Sequence, residues 1–398
     1  MADAGEIMKM SKYGMIASGL WRLPLNQPTV VKKMYVLYSV YVHVVFTLFL
    51  LLIMIQFIIL CTKNDLSKEL SDQRFTVFSY FISTLTTQVK LLIFQSNNVW
   101  LIISYIMDEE KKLLAQVNLD ILSYHRRQVS FERWINTVIF SLSAFLGLAT
   151  VVANGIQRHQ IEKHNRFYND SLPKPTLFPL YYCNIDTEKH NTMLAISNTM
   201  WVIIIIVIST PTQGFYLACI TFASSMLKAL QIRLSKTDEE KNLDETLEIL
   251  IREHQRIIAS FRFVKNLNET VKYLMMMDYL LNAVNIAGVV LILLEAADGI
   301  EVASALFYAG RLVVIVFALG WTSNEIRIQS QALADAIYET PWWEQQNKIQ
   351  KVLHIMIMRG QCPLAITIGP FDDMTIQSSL TIMKAAYSYG TIMSQNYR

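Results

Sequence analysis

Seven apolar runs punctuate the chain, each near the roughly 20 residues that a helix needs to cross a hydrocarbon core: about Tyr35 to Leu60, Phe75 to Phe94, Trp134 to Val152, Met193 to Phe222, Tyr273 to Leu294, Val302 to Trp321 and Thr375 to Met393. Two of the polar stretches between them keep apolar residues at helical spacing. Leu243, Leu247, Leu250, Ile251, Ile258 and Phe261 share one face with His254 and Lys265. No proline interrupts them, so the segment is predicted to run on to Glu295 as one helix of about 50 residues, roughly 75 Å at 1.5 Å per residue. Ser323 to Arg359 repeats the pattern through Ile326, Leu333, Ile337, Ile349, Val352, Leu353 and Ile357, with a break near Pro341. Paired helices with apolar faces outside the spans are most simply a packing or oligomerisation domain. The last run differs from the others. Thr375 to Arg398 carries Lys384, Ser388, Thr391, Ser394 and Gln395, which suits a helix facing lipid or protein on one side and a water-filled path on the other.

Composition agrees with a membrane protein: 53% hydrophobic, 17% charged, mean hydropathy +0.32, against roughly 25% charged residues in soluble domains. A formal charge of +3 gives no case for nucleic acid. The first apolar run follows a mixed amphipathic leader, so it reads as a retained insertion signal and not as a cleaved one. Lys and Arg set the orientation. About 23 lie before the first span, between the second and third, between the fourth and fifth, and after the sixth; about nine lie on the other side. The expected architecture is therefore all-α, with seven transmembrane helices, a cytoplasmic amino terminus and an extracellular carboxyl terminus. Cytosolic helical extensions are expected to form an oligomerisation (anchor) domain. In that frame residues 1–34 are a cytoplasmic segment, 35–222 hold the first four spans with an extracellular loop at 153–192, and 223–272 are a cytosolic extension. Residues 273–321 hold the fifth and sixth spans, 322–371 the anchor helices, and 372–398 the seventh helix.

Candidate chemistry is sparse. Cys61, Cys183, Cys219 and Cys362 show no metal-ligand spacing; a Cys61 to Cys183 disulfide is open if both lie outside. No nucleotide loop or catalytic constellation is present, so neither an enzyme nor a cofactor is expected. Glu295, Asp298 and Glu301 crowd the turn between the fifth and sixth spans without a basic residue, which at a pore mouth would concentrate cations and elsewhere is a solvated turn. Arg311, well inside the sixth span, needs a partner or a wet cavity. The loop after the third span, with Phe167, Phe178, Tyr181 and Tyr182, is either a lid or a tether. Matched Gly/Pro-broken helix pairs of a transporter are missing. A G-protein-coupled receptor requires the inverse topology, and neither a D/E-R-Y at the inner end of the third span nor an NPxxY in the last one is present.

His254, Gln255, Arg256, Ile257, Leu267 and Asn268 resemble the long fifth helix of insect odorant receptors. Asn324, Glu325, Gln329, Ser330, Leu333, Ala334, Tyr338, Trp342, Trp343, Arg359, Gln361 and Pro363 are similar to that family's cytoplasmic stretch. The last helix matches as well, through Lys384, Ala385, Ala386, Tyr387, Ser388 and Tyr389. Tyr389 and Gln395 keep a spacing shared with gustatory receptors, with Ser388 and Asn396 departing from the usual residues. The resemblance covers residue 250 to the end; the first half agrees only in hydropathy and length. It implies a ligand-gated, non-selective cation channel passing monovalent and divalent cations, tetrameric around the seventh helix, in the plasma membrane of a sensory neuron. It also implies a co-receptor subunit as partner. The co-receptor's long insertion after the fourth span is absent, which marks this chain as a tuning subunit. A G-protein-coupled receptor and a homomeric gustatory-type channel are the alternatives.

By the same resemblance Ile392 falls where the hydrophobic gate sits, with Ser388, Gln395 and Asn396 as polar pore neighbours; the other reading packs Ile392 against a neighbouring helix. An odorant is small, volatile and mostly apolar, so its site needs burial, shape and one or two hydrogen bonds. The outer halves of the second, third, fourth and sixth spans supply Phe75, Phe78, Ser79 and Ile82; Phe145, Leu148 and Ala149; Ile196, Ser197 and Met200; and Phe307 and Tyr308. Ser79, Ser197 and Tyr308 are placed to orient an ester, alcohol or ketone. The topology itself is testable at two sequons, Asn169 and Asn268. Glycosidase treatment of the expressed chain is expected to shift its gel mobility, Asn169→Gln to abolish that shift, and Asn268→Gln to leave it. A glycan on Asn268 would invert the assigned orientation.

Overall fold

The computed structural model describes residues 7–21, 28–63, 68–115, 118–168, 178, 180–181, 190–235, 243–295 and 299–396. Nearly all of them are helical. The chain order is α1 (Lys9–Ala17), α2 (Thr29–Thr62), α3 (Lys68–Phe94), α4 (Asn97–Leu114), α5 (Leu119–Tyr168), α6 (Asn191–Leu234), α7 (Leu243–Glu295), α8 (Gly299–Tyr338), α9 (Asn347–Gly360) and α10 (Ile376–Asn396), with a 3-10 turn at Trp342–Glu344. Among the described residues six helices, α2, α3 and α5 to α8, are long and apolar enough to cross a membrane. Large apolar side chains such as Leu37, Tyr41, Leu148, Ile196 and Leu306 stay exposed along them, a surface that lipid and not water covers. The seventh expected span, α10, falls below that hydropathy because Lys384 and its run of hydroxyls dilute 21 residues.

Helix length follows from the spacing read above. α7 is continuous over 53 residues, with Leu250, Ile257, Phe261, Val264, Leu267, Val271 and Leu274 all buried along one face. Phe263 of α7 stacks on Tyr105 of α4, ring centroids 4.8 Å apart. α9 buries Ile349, Leu353, Met356 and Gly360 and folds back on α8, where a Cβ at Gly360 would lie 3.0 Å from the Ala334 Cβ. The chain then makes a two-residue antiparallel ladder, Thr367–Ile368 with Asp372–Asp373. Gly369 supplies its positive φ of 59°, a conformation that L side chains avoid. Its N–H donates to the Lys272 carbonyl at 3.0 Å. Nearby, Thr367 N–H donates to Asn268 Oδ1 at 2.8 Å, so the amide of the second sequon is engaged in pinning this hairpin to α7.

The amino-terminal segment is part of the packed body. Ile7, Met8 and Met15 are fully buried, Gly14 lies against Pro211 inside α6, and the Ile7 N–H donates to Glu110 Oε1 at 3.0 Å. The same Glu110 oxygen meets His125 Nε2 at 2.9 Å, so a buried carboxylate of α4 collects partners from two other segments.

Deeper in the bundle Lys90 of α3 pairs with Asp278 of α7, their side chains 5% and 3% exposed. Gln213 Nε2 of α6 donates to the second aspartate oxygen at 3.2 Å, and Lys90 lies 5.9 Å from the Tyr216 ring centroid. Three helices thus share one charge pair. Removing one member strands the other, at roughly 3–5 kcal/mol for a buried pair. Lys90→Met is expected to lower the melting temperature of the detergent-purified chain sharply, and Lys90→Met with Asp278→Leu to recover most of that loss; thermal unfolding followed by size-exclusion monodispersity measures both.

Candidate functional site

The end of the bundle where α5 ends and α6 begins holds an aromatic nest. Phe178 comes from the segment between α5 and α6, yet it is only 6% exposed. Its ring stands edge-on to Phe49 of α2 at 5.6 Å and to Tyr80 of α3 at 5.7 Å. Phe49 in turn stacks on Trp201 of α6 at 4.2 Å. Counted from Thr62, Lys68 and Asn191, these partners lie 10 to 13 residues inside their helices, so Phe178 descends roughly 15–20 Å into the bundle. Leu180 is buried beside it. Of the two readings of this loop, a lid or a tether, the geometry at Phe178 is that of a plug.

Around the nest the predicted residues take different places. Ser79 donates its hydroxyl to Asn285 Oδ1 of α7 at 2.9 Å. Phe78 packs on Phe57 of α2, centroids 5.7 Å apart, and Ile82 is half-buried one turn further along. Phe145 and Phe307 meet across α5 and α8 at 4.9 Å, with Ala149 half-buried one turn away. Tyr308, partly buried, packs beside Ala305 and Leu312 and lies within electrostatic reach of Tyr80 and of Arg311. Leu148, Ile196, Ser197 and Met200 are exposed on the outer surface of α5 and α6. Phe75 lies on α3 with its side chain outside the described residues.

Arg311 has no ion pair among the described residues; its Nε donates to Ser143 Oγ of α5 at 2.8 Å. Periodicity did not single out Phe49, Tyr80, Trp201 or Asn285. All four are ordinary members of apolar runs whose inward direction is set by the neighbouring helix. Phe178 carried a sequence signal, since aromatic clusters are unusual in a proline-rich polar loop.

The last helix has two faces. Ala386 is buried against Ile286, Val289, Ala305 and Leu312, and a Cβ at Gly390 would lie 2.8 Å from Val290 Cβ, so this side seats on α7 and α8. Lys384, Ser388 and Ile392, four residues apart, are exposed together with Tyr389 on the other side. No ion pair involves Lys384 among the described residues. At its start the helix is bolted to α8: Ser379 Oγ lies 3.2 Å from the Val316 carbonyl and 3.2 Å from Tyr279 Oη of α7. Gly320 allows this, since a Cβ there would come within 2.2 Å of Ser379 Oγ. The side chains of Gln395, Asn396, Glu295 and Glu301, and all of Asp298, Asn169 and Cys183, lie outside the described residues. Cys61 is exposed at the end of α2.

Among the described residues, six helices of lipid-crossing length with a separate two-faced helix seated on α7 and α8 define a polytopic helical membrane protein. The comparison with known sequences is specific. The chain belongs to the 7tm Odorant receptor family, whose family model matches residues 71–387, a family of insect receptors and not of enzymes. It is 30% identical over 193 residues to Odorant receptor 10 of Aedes albopictus, covering 47% of this chain and 51% of that relative. With Odorant receptor Or2 of Anopheles gambiae it shares 27% over 201 residues, 47% of this chain and 52% of the relative. These matches thus span about half the length of the relatives. Two solved structures of the olfactory receptor OR5 from Machilis hrabei share the fold. The first has a TM-score of 0.77 at 16% identity, covering 98% of this chain and 97% of that one. The second, in complex with eugenol, gives 0.75 at 15% identity.

Truncating the plug tests its role in the nest. Phe178→Ala is expected to destabilise the purified chain by up to about 3–5 kcal/mol, the range for removing a buried phenylalanine, whereas Phe178→Leu, which keeps most of the apolar volume, is expected to cost less than half of that. Equal melting temperatures for wild type and Phe178→Ala would show that the loop does not seal the bundle.

Proposed function

We propose that the chain is the odorant-binding tuning subunit of a ligand-gated, non-selective cation channel, assembled with a co-receptor subunit as a heterotetramer in the plasma membrane of a sensory neuron. The observation that carries this reading is the exposed stripe of α10. A helix that seats Ala386 and Gly390 on its own chain while turning Lys384, Ser388 and Ile392 outward suits an axis shared with other subunits, where a ring of Ile392 closes by dewetting and Ser388 rehydrates the ion. The amino terminus is then cytoplasmic. α9 and the inner halves of α7 and α8 form the anchor domain, and Glu295, Asp298 and Glu301 border the outer mouth. Gln395 and Asn396 extend the pore lining, and Asn169 carries the glycan.

The ligand is a small, mostly apolar volatile held under Phe178, among Phe78, Ser79, Tyr80, Phe145, Phe307 and Tyr308, with Ile82 and Ala149 behind them. That one related structure is of a complex with eugenol supports a site of this polarity. Rings supply the apolar wall, and Ser79 with Asn285 and Tyr308 supply the one or two hydrogen bonds that orient such a molecule. Leu148, Ile196, Ser197 and Met200 belong to this site only in a bound state that turns them inward. Occupancy opens the pore to the extent that the ligand prefers the open state. Tyr308 is on the same rod as Val316 and Gly320, which hold Ser379 of α10, so a shift of α8 is delivered to the gate helix.

Current recordings from cells carrying this chain with and without a co-receptor, over a panel of volatile esters, alcohols and terpenoids, test the reading. Currents are expected only with the co-receptor. Tyr308→Phe and Ser79→Ala are expected to raise the half-maximal concentration of hydrogen-bonding odorants about five- to tenfold, the worth of one hydrogen bond, and to leave apolar terpenes nearly unchanged. Ile392→Ala is expected to raise ligand-free leak; unchanged permeation and gating in a channel that depends on this subunit would remove Ile392 from the gate.

A further inference from the structure

Far from the aromatic nest, a half-open pocket of about 320 Å³ lies between α5, α6 and α8, with Tyr124, Arg127, Thr221, Trp321 and Glu325 in its lining. Its depth is fixed by the sequence. The apolar run of α5 begins at Trp134, that of α6 ends at Phe222 and that of α8 ends at Trp321, so the cavity lies where three spans leave the hydrocarbon. Trp134, Trp321 and Tyr273 are 63%, 56% and 57% exposed at these boundaries, the aromatic belt of a membrane interface. A pocket at that level faces lipid head groups.

The lining has both signs of charge. Arg127 is exposed with no ion pair among the described residues, on one wall. Glu325 is on the other, where Tyr124 Oη donates to its Oε1 at 3.4 Å and Gln329 Nε2 to the same oxygen at 2.6 Å. Both bonds fall on Oε1, which leaves Oε2 for a further donor. The Trp321 ring borders the cavity beside that carboxylate, and a ring face attracts ammonium groups. Thr221 Oγ1 is buried in the lining with no hydrogen-bond partner among the described residues, an acceptor and donor that a bound polar group would satisfy. The volume sits at the lower bound of ligand pockets, about 300 Å³.

We propose that this cavity seats the head group of a zwitterionic glycerophospholipid from the adjoining leaflet, with the phosphate at Arg127 and the ammonium at Glu325 and Trp321. One positive and one negative side chain match a head group that carries one of each; an anionic head group would leave the Glu325 carboxylate facing net negative charge. Bound in this way, the lipid bridges α5 to α8. Because the cavity lies apart from the nest and from α10, the inference stands independently of the odorant reading.

Native mass spectrometry of the full chain, delipidated in mild detergent and then supplied with phosphatidylethanolamine, phosphatidylcholine or phosphatidylglycerol, tests it. The wild type is expected to retain one phosphatidylethanolamine or phosphatidylcholine at least about fivefold more than phosphatidylglycerol. Arg127→Gln is expected to lose that retention and Arg126→Gln, its exposed neighbour outside the lining, to keep it. Glu325→Gln, which still accepts from Tyr124, is expected to erase the preference over phosphatidylglycerol, and it decides the question alone if Arg127→Gln is not monodisperse. Equal retention of phosphatidylglycerol by the wild type, or identical behaviour of Arg127→Gln and Arg126→Gln, would overturn the proposal. So would displacement by millimolar soluble glycerophosphoethanolamine, since the site would then hold a free head group and not a lipid.

Discussion

One buried charge pair organises the bundle. Lys90 and Asp278 are each almost wholly removed from solvent, and an unpaired charge at such depth costs several kcal/mol. The pair therefore admits one register of α3 against α7, and Gln213 adds α6 to the same contact. The nest-side residues of α3 and α7 share that register. Ser79 lies three turns before Lys90 and meets Asn285, two turns beyond Asp278, so the polar atoms of the nest are set by the pair below them. An apolar contact would tolerate sliding; a salt bridge with a third partner does not.

The two ends of the molecule are built differently. At the nest end the helices are held apart by rings from four elements, with large apolar residues such as Phe78, Phe145 and Phe307 still partly exposed. At the opposite end α6, α7, α8 and α9 pack through small residues and aliphatic side chains, with Ala223, Ile257, Leu267, Ile326 and Leu333 fully buried. α8 belongs to both regions. Its Arg311 is tied to α5 through Ser143, and its Val316 and Gly320 hold the start of α10.

Much of this was legible in order along the chain. Apolar runs and helical spacing placed the rods, because a backbone in lipid must satisfy its own hydrogen bonds and the helix does so locally. Asn268 shows the limit of that reading. As a sequon it is only a three-residue pattern, and its engagement with Thr367 arises from a hairpin almost 100 residues away. Phe178 shows another: its aromatic neighbourhood marked the loop, but the depth to which it descends depends on the gap that α2, α3 and α6 leave.

What the sequence determined by itself was the all-helical membrane class, the place of six apolar runs, the unbroken length of α7, the family, and the unusual wetness of the last helix. Each of these depends on residue type and local period, which a linear pattern carries completely. The tertiary structure alone decided which way each rod turns. It gave Arg311 a serine partner on α5, paired Lys90 with Asp278 across 188 positions, left Ile196, Ser197 and Met200 on the outer surface, and set Lys384, Ser388 and Ile392 on the uncovered face of α10. In a span apolar all the way round, period carries almost no rotational information. The direction is fixed only by long-range contacts among small residues and the few buried polar groups.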